Sequence, residues 1–270
     1  MNSHHFAVGN MRLIVLADGV DEYDEKGLAD MIKPMPDAFL QAFRALPQPC
    51  LFSYNVLYLE SGGERILIDT GIGVAGKPQY GNFLDSLQHE GISADQIDKV
   101  ILSHLHMDHV GGITADGNAV FPNAEIIVPR LEWEYWLEGG REPDERTQVL
   151  KAVFQPYSEH IHYLDDGETV AGGITVIALP GHTPGHCGFM LESDGKRLLH
   201  IVDALHTPMQ IAFPEVSPVF DSQPELSPKT RRKVLEQIAD EELLILTYHL
   251  PFPGLGHVVR DGTAFAWKPI

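Results

Sequence analysis

Cysteine is scarce: Cys50 and Cys187 are the two in 270 residues, and they lie far apart. A secreted disulfide scaffold carries more, so both are read as reduced thiols. No apolar stretch reaches the roughly 18 residues that span a bilayer. Residues 1–11 lack the basic and then apolar pattern of a signal peptide. The expectation is a cytoplasmic protein with no membrane partner. Positive charge is also short, with 19 Lys and Arg against 38 Asp and Glu, a net charge of −19. Such a chain repels phosphate backbones, which argues against a nucleic-acid partner. Low-complexity segments, long linkers and solenoid repeats are missing as well. What remains is 44% hydrophobic and 21% charged, an ordinary globular composition with enough length for a full core. Histidine is the residue in excess, with 14 copies, and it is the commonest metal ligand.

Short apolar runs alternate with helical spacing along the chain. Strands are expected at residues 11–17, 53–59, 65–68, 100–102, 124–128, 174–179, 188–191, 198–202 and 243–246. A closing pair is expected over 257–267, around Asp261-Gly262. Helices are expected at 82–89, 131–138 and 145–154. A fourth runs from Ser227, read as N-cap with Pro228 at the first helical position, to near residue 239. Strands mixed with helices in both halves argue for an α/β layered fold, taken as one domain over residues 1–270.

The most informative segment is 103–112, which reads SHLHMDHVGG. It follows an apolar strand, and in extended chain residues i and i+2 face the same way. His104 and His106 therefore point to one side and can share a cation. Asp108 and His109 follow where the chain turns, and Gly111-Gly112 is read as permitting that turn. Zinc takes imidazole nitrogen and carboxylate oxygen, and a catalytic site keeps one position open for water. Further candidate ligands sit just past other apolar strands, where α/β proteins usually build sites: His182, Asp203 and His249.

In order, type and approximate spacing, the set Asp69, His104-x-His106-x-Asp108-His109, His182, Asp203 and His249 resembles the metallo-β-lactamase superfamily over nearly the whole chain. The resemblance implies an αββα sandwich of two similar halves with a dinuclear metal site at one edge. It implies that His104, His106 and His182 bind a first metal and Asp108, His109 and His249 a second. Asp203 would bridge them beside a water or hydroxide, and Asp69 would support the ligands from behind. The metals would be two divalent ions, zinc first, with manganese, iron or cobalt as alternatives. A small-molecule substrate is implied, and a homodimer is suggested by the family.

Asp203 separates the chain from true metallo-β-lactamases, which lack a bridging carboxylate there. The short tail after His249 leaves little room for the glutathione-binding region of hydroxyacylglutathione hydrolases. The segment from Asp203 to His206, the tail from His249 to Gly254 and the cluster Trp133, Tyr135, Trp136 resemble methyl parathion hydrolases and related lactonases. N-acyl-homoserine lactonases carry Tyr three residues after the bridging Asp, where this chain carries His206. The primary expectation is a hydrolase of a lactone or carboxyl ester in a small neutral molecule. Asp108, Asp203 and His206 would be its catalytic residues, with Asp108 moving a proton and His206 donating to the developing oxyanion. Phosphotriester hydrolysis is the alternative, and a non-catalytic metal- or ligand-binding module is the reading from another class.

Other residues carry weaker expectations. His186 is read as structural, holding its turn by a hydrogen bond, and Cys187 as core. His257 is read as lining the pocket or lying at the surface. The cluster of Trp133, Tyr135 and Trp136 is either a pocket wall or the buried face of one helix. Residues 31–43 are either a mobile flap over the site or a plain surface segment.

Overall fold

Neighbouring residues of a strand face opposite ways, so a strand that is apolar throughout needs cover on both faces. The Leu198-Leu199 pair within Lys196–His200 shows this: Leu198 packs into a core between two sheets, and Leu199 into a second core beneath an outer helix. The αββα architecture follows from repeating that arrangement. The computed structural model describes residues 3–46, 49–73 and 79–270.

The first half runs β1 (Ser3–Val8), β2 (Met11–Tyr23), α1 (Glu25–Met31), α2 (Asp37–Ala45), β3 (Cys50–Ser61), β4 (Glu64–Ile68) and α3 (Phe83–His89). It continues through β5 (Lys99–Ile101), α4 (Met107–Val110) and a small hairpin of β6 (Thr114–Ala115) and β7 (Asn118–Ala119). It closes with β8 (Glu125–Pro129), α5 (Arg130–Leu137), α6 (Glu145–Phe154) and β9 (Ile161–Leu164). The second half runs β10 (Thr169–Ala171), β11 (Ile174–Ala178), β12 (Cys187–Ser193), β13 (Lys196–His200), α7 (Met209–Ala212) and α8 (Ser227–Asp240). It ends with β14 (Leu244–Leu246), β15 (Leu255–Asp261) and β16 (Ala264–Pro269).

The first sheet has the order β1-β2-β3-β4-β5-β8-β9, and the second runs β10 to β16 in sequence. One core joins Ile14, Leu57 and Val100 of the first sheet to Phe189, Leu191 and Leu198 of the second. A separate core packs Leu199, Ile245 and Val258 under Val234, Leu235 and Ile238 of α8. On the other side α3 packs on β2. Strands β4, β5 and β8 are parallel, so their carboxyl ends share one edge. In the second sheet β11, β13 and β14 point the same way, since β12 is antiparallel to β11 and β13 while β13 and β14 are parallel. Candidate ligands follow four of these strand ends, β5, β11, β13 and β14, and Asp69 follows a fifth, β4.

Several expectations need correction. Strand β2 reaches Tyr23, well past residue 17, because residues 19–23 pair with residues 50–54 of β3 beyond a bulge. Asp18, just past the expected end, is buried and accepts from the Ile72 amide at 2.9 Å. Helix α8 has Leu226 as its N-cap; Ser227 lies inside the helix, and its hydroxyl accepts from Arg231 Nη2 at 2.9 Å. Gly111 has φ −61, ordinary helical backbone, so no unusual turn requires it. The pair Gly111-Gly112 is needed for close approach: a Cβ at Gly112 would lie 2.0 Å from the Thr70 carbonyl oxygen. Both cysteines are free and buried. Among the described residues, no helix is long and apolar enough to cross a membrane.

Candidate metal centre

The first half delivers four donor side chains from one short stretch. After β5 the chain bends at Ser103, and His106, at φ −77 and ψ 150, leads into the single turn of α4. His104 Nε2 and His106 Nδ1 come within 3.1 Å of each other. Asp108 and His109 lie on α4, with His109 Nε2 3.6 Å from Asp108 Oδ2. Behind them sits Asp69, at φ 60 just past β4. It accepts from the Ser103 amide and hydroxyl, each at 2.8 Å, and from His109 Nδ1 at 2.8 Å. The Ser103 hydroxyl in turn lies 3.0 Å from His104 Nδ1. Asp69 thus orients His109 directly and His104 through Ser103, the role expected of it.

The second half delivers three donors from three separate strand ends. His182 follows β11, and its Nδ1 is 3.0 Å from Asp221 Oδ1. Asp203 follows β13, where Val202 is held at φ 46, a strained value for a β-branched residue. The Asp203 amide donates to His186 Nε2 at 3.2 Å, and His186 Nδ1 donates to the Leu179 carbonyl at 2.8 Å. His186 therefore holds its own turn, as expected, and the Asp203 backbone as well. His249 follows β14 and donates from Nδ1 to the Ser53 carbonyl at 3.0 Å.

These donors converge. Asp203 Oδ2 lies 3.7 Å from His104 Nε2 and 3.3 Å from the Nε2 atoms of His109, His182 and His206. It lies 3.2 Å from His249 Nε2. His182 Nε2 is 3.2 Å from His104 Nε2 and 2.9 Å from His106 Nδ1. Asp108 Oδ2 is 3.4 Å from His249 Nε2. Two compact donor sets result, His104/His106/His182 and Asp108/His109/His249, with Asp203 between them.

Proton placement tests whether cations fit. A carbonyl only accepts, so His249 Nδ1 carries the proton and its Nε2 aims a lone pair at a carboxylate. Asp221 is held at about 2: burial would raise it, but His182, His206 and Arg231 outweigh that effect. Asp221 is therefore ionised, and the His182 Nε2 lone pair faces the lone pairs of two other imidazoles. Burial pushes His104 and His106 well below the ordinary histidine range and His182 to about 4, so they are neutral donors. His109 goes the other way: burial opposes its charge, but Asp203, Asp108 and Asp69 raise it well above the usual range. His109 Nε2, Asp203 Oδ1 and both ring nitrogens of His206 are buried without a hydrogen-bond partner. Acceptors facing acceptors, in a field that favours positive charge, fit divalent metal ions at both donor sets.

A cavity of about 400 Å³ opens over the site. Tyr23, Phe52, Leu105, Trp136, Leu150 and Phe220 wall it, and Asp108 and His206 face into it. The expected aromatic cluster divides. Trp136 lines the cavity, whereas Trp133 packs on Phe154 and Tyr163 elsewhere. His257 does not line it; its Nδ1 partners the Leu243 carbonyl in a surface groove. None of residues 31–43 lines it either, and Phe39 and Phe43 anchor α2 in the core. Three supporting residues escape a reading of the sequence: Asp221, its buried neighbour Arg231, and Glu132. Each is a charged residue outside any motif, and Arg231 stands among Lys229, Arg232 and Lys233. No local signal in the sequence separates them from solvated charges.

The family profile described as "Metallo-beta-lactamase superfamily" matches residues 51–249. An N-acyl homoserine lactonase of Bacillus thuringiensis is 30% identical over 166 residues, 60% of each chain. The N-acyl homoserine lactonase AttM of Agrobacterium fabrum is 35% identical over 132 residues, 46% of this chain and 47% of its own. The chain thus spans at most about 60% of the length of these curated relatives. Among solved structures, hydrolase AbOPH in the beta lactamase superfamily superposes with a TM-score of 0.88 at 30% identity, over 99% of this chain and 97% of that one. AidC, a dizinc quorum-quenching lactonase solved with its product, superposes with a TM-score of 0.90 at 26% identity, over 100% of this chain and 97% of its own. By the profile match across both halves of the site and the αββα fold beneath it, the chain belongs to the metallo-beta-lactamase superfamily.

Proposed function

We propose that this protein is a dinuclear-metal hydrolase that opens a lactone or carboxyl ester bond in a small neutral molecule. The observation that carries the reading is Asp203 Oδ2, one carboxylate oxygen within 3.7 Å of five imidazole nitrogens at the floor of a largely apolar cavity. His104, His106 and His182 would hold one metal, Asp108, His109 and His249 the other, with Asp203 shared. Zinc is the proposed metal, in keeping with the dizinc relative AidC. Bound there, divalent metals make a water acidic enough to ionise near neutral pH and polarise a carbonyl oxygen.

The chain's own groups do the rest. Asp108 is 30% exposed and faces the cavity, so it can accept the nucleophile's proton and deliver it to the leaving oxygen. His206 stands at the cavity wall with Nε2 3.3 Å from Asp203 Oδ2, where its ring can donate to developing oxyanion charge. Phe52 fixes its plane by stacking at 6.4 Å, and Phe220 meets it edge-on at 4.8 Å. Trp136, Leu150 and Phe220 offer an apolar wall to the substrate and exclude water. Two buried free thiols support a reducing, cytoplasmic setting.

The test compares kcat/KM of one metal-reconstituted preparation on aliphatic lactones, N-acyl homoserine lactones among them, and on an aryl dialkyl phosphotriester. Lactones winning by several orders of magnitude is the expected result. A preference for the phosphotriester would replace the substrate class. Two bound metals with no turnover of either would make the protein a binding module.

A further inference from the structure

Glu132 is a fully buried carboxylate in the first turn of α5, and its two oxygens serve different segments. Oε2 accepts from the Leu105 amide at 3.1 Å, between His104 and His106. Oε1 accepts from the Gly185 amide at 2.8 Å, three residues after His182. Oε2 also accepts from Trp136 Nε1 at 2.9 Å, one turn along the same helix. The Leu105 loop leaves the first sheet and the Gly185 loop leaves the second, so one side chain clasps the two halves behind the donor set they form. Close approach is built in, because a Cβ at Gly185 would lie 2.5 Å from the Glu132 amide nitrogen.

We propose that Glu132 is a positioning residue: it sets the spacing between the loops of His104, His106 and His182, and ties that spacing to the cavity wall through Trp136. The inference rests on the metal assignment above. The chemistry requires a carboxylate. Three N–H donors on two oxygens leave no place for a donor, so an amide at this position would press its NH2 against one of the backbone N–H groups and leave a buried donor unpaired. Trp136 stands 5.7 Å from the His106 ring, edge-on, so a change in this clasp reaches both the donor and the substrate wall.

The experiment compares wild type with Glu132→Gln. It reads bound metal by elemental analysis during chelator titration, with KM and kcat for the preferred lactone. Wild type should hold two metals. E132Q should keep one near the wild-type chelator midpoint and lose the other about 10- to 100-fold more readily. KM should rise along with the loss of kcat. A merely structural role would lower both midpoints together. Two metals with unchanged midpoints in E132Q would overturn the inference, whereas a wild type without two metals would overturn the assignment beneath it. Should E132Q fail to fold, amide hydrogen exchange on chelator-treated wild type decides. The amides of Leu105 and Gly185 should stay protected when those of His106 and His182 open, and equal exchange would refute a clasp that acts without metal.

Discussion

The two halves of the molecule supply the same site by different means. The first half packs His104, His106, Asp108 and His109 into six residues, where one strand end and one helical turn place all four. The second half places His182, Asp203 and His249 on three strand ends up to 67 residues apart, each held by its own anchor, which for His249 comes from β3 of the first half. Support follows the same division. Asp69 serves two histidines of the first half at once, whereas Asp221 serves His182 and the Ser53 carbonyl serves His249. A contiguous motif shares its scaffolding, and a dispersed one repeats it.

The sharpest way to break that comparison is at the atom where both halves meet. Asp203→Ala should release at least one metal and lower kcat/KM by roughly 10³-fold or more, read by elemental analysis and steady-state kinetics. A variant that keeps both metals and its activity would remove Asp203 from the bridge.

Acid should act on the second half through histidines that are not donors. Burial holds His200 at about 4, against an ordinary 6.5, while its Nδ1 donates to the Leu246 carbonyl. The unfolded chain takes up a proton below 6.5, and the native chain resists until about 4. Stability therefore rises with pH across that window and is flat below it. The contribution is roughly 3 kcal/mol. Urea unfolding of wild type and His200→Gln at pH 4 and 6.5 checks it: the variant's stability should change less between the two pH values, by about that amount.

The shared and local supports should differ in reach. Asp69→Asn should weaken metal binding at both positions, because His104 and His109 belong to different donor sets, each by about 10- to 100-fold. Asp221→Asn should weaken one position by a similar factor and leave the other in place. Chelator titration separates the two outcomes, and a single lost metal in D69N would show that Asp69 serves one half of the site.

Legibility in the sequence followed contiguity. The segment from His104 to His109 announces itself, and the strands around it are short apolar runs whose residues face two buried layers. Glu145–Phe154 was visible as a helix from its spacing. The continuation of β2 to Tyr23 is not legible because it depends on pairing with residues 50–54 of β3, and Asp18 within it is a buried acceptor for a neighbouring loop. Ser227 looked like a cap, but the partner its hydroxyl takes is Arg231. Glu132, Asp221 and Arg231 are not legible as support, since a charged residue in a helix or turn reads as solvated until tertiary packing buries it.

The sequence by itself determined the donor types, their order along the chain and the layered α/β plan, because apolar periodicity and the H-x-H-x-D-H spacing are local properties. Tertiary structure alone decided which donor side chains converge, which carboxylates hold them, and that Trp136 rather than Trp133 lines the cavity over them. Those outcomes depend on strand directions and on burial, which bring residues 69, 104, 132, 182, 203, 221 and 249 within reach of one another, and no local pattern encodes either.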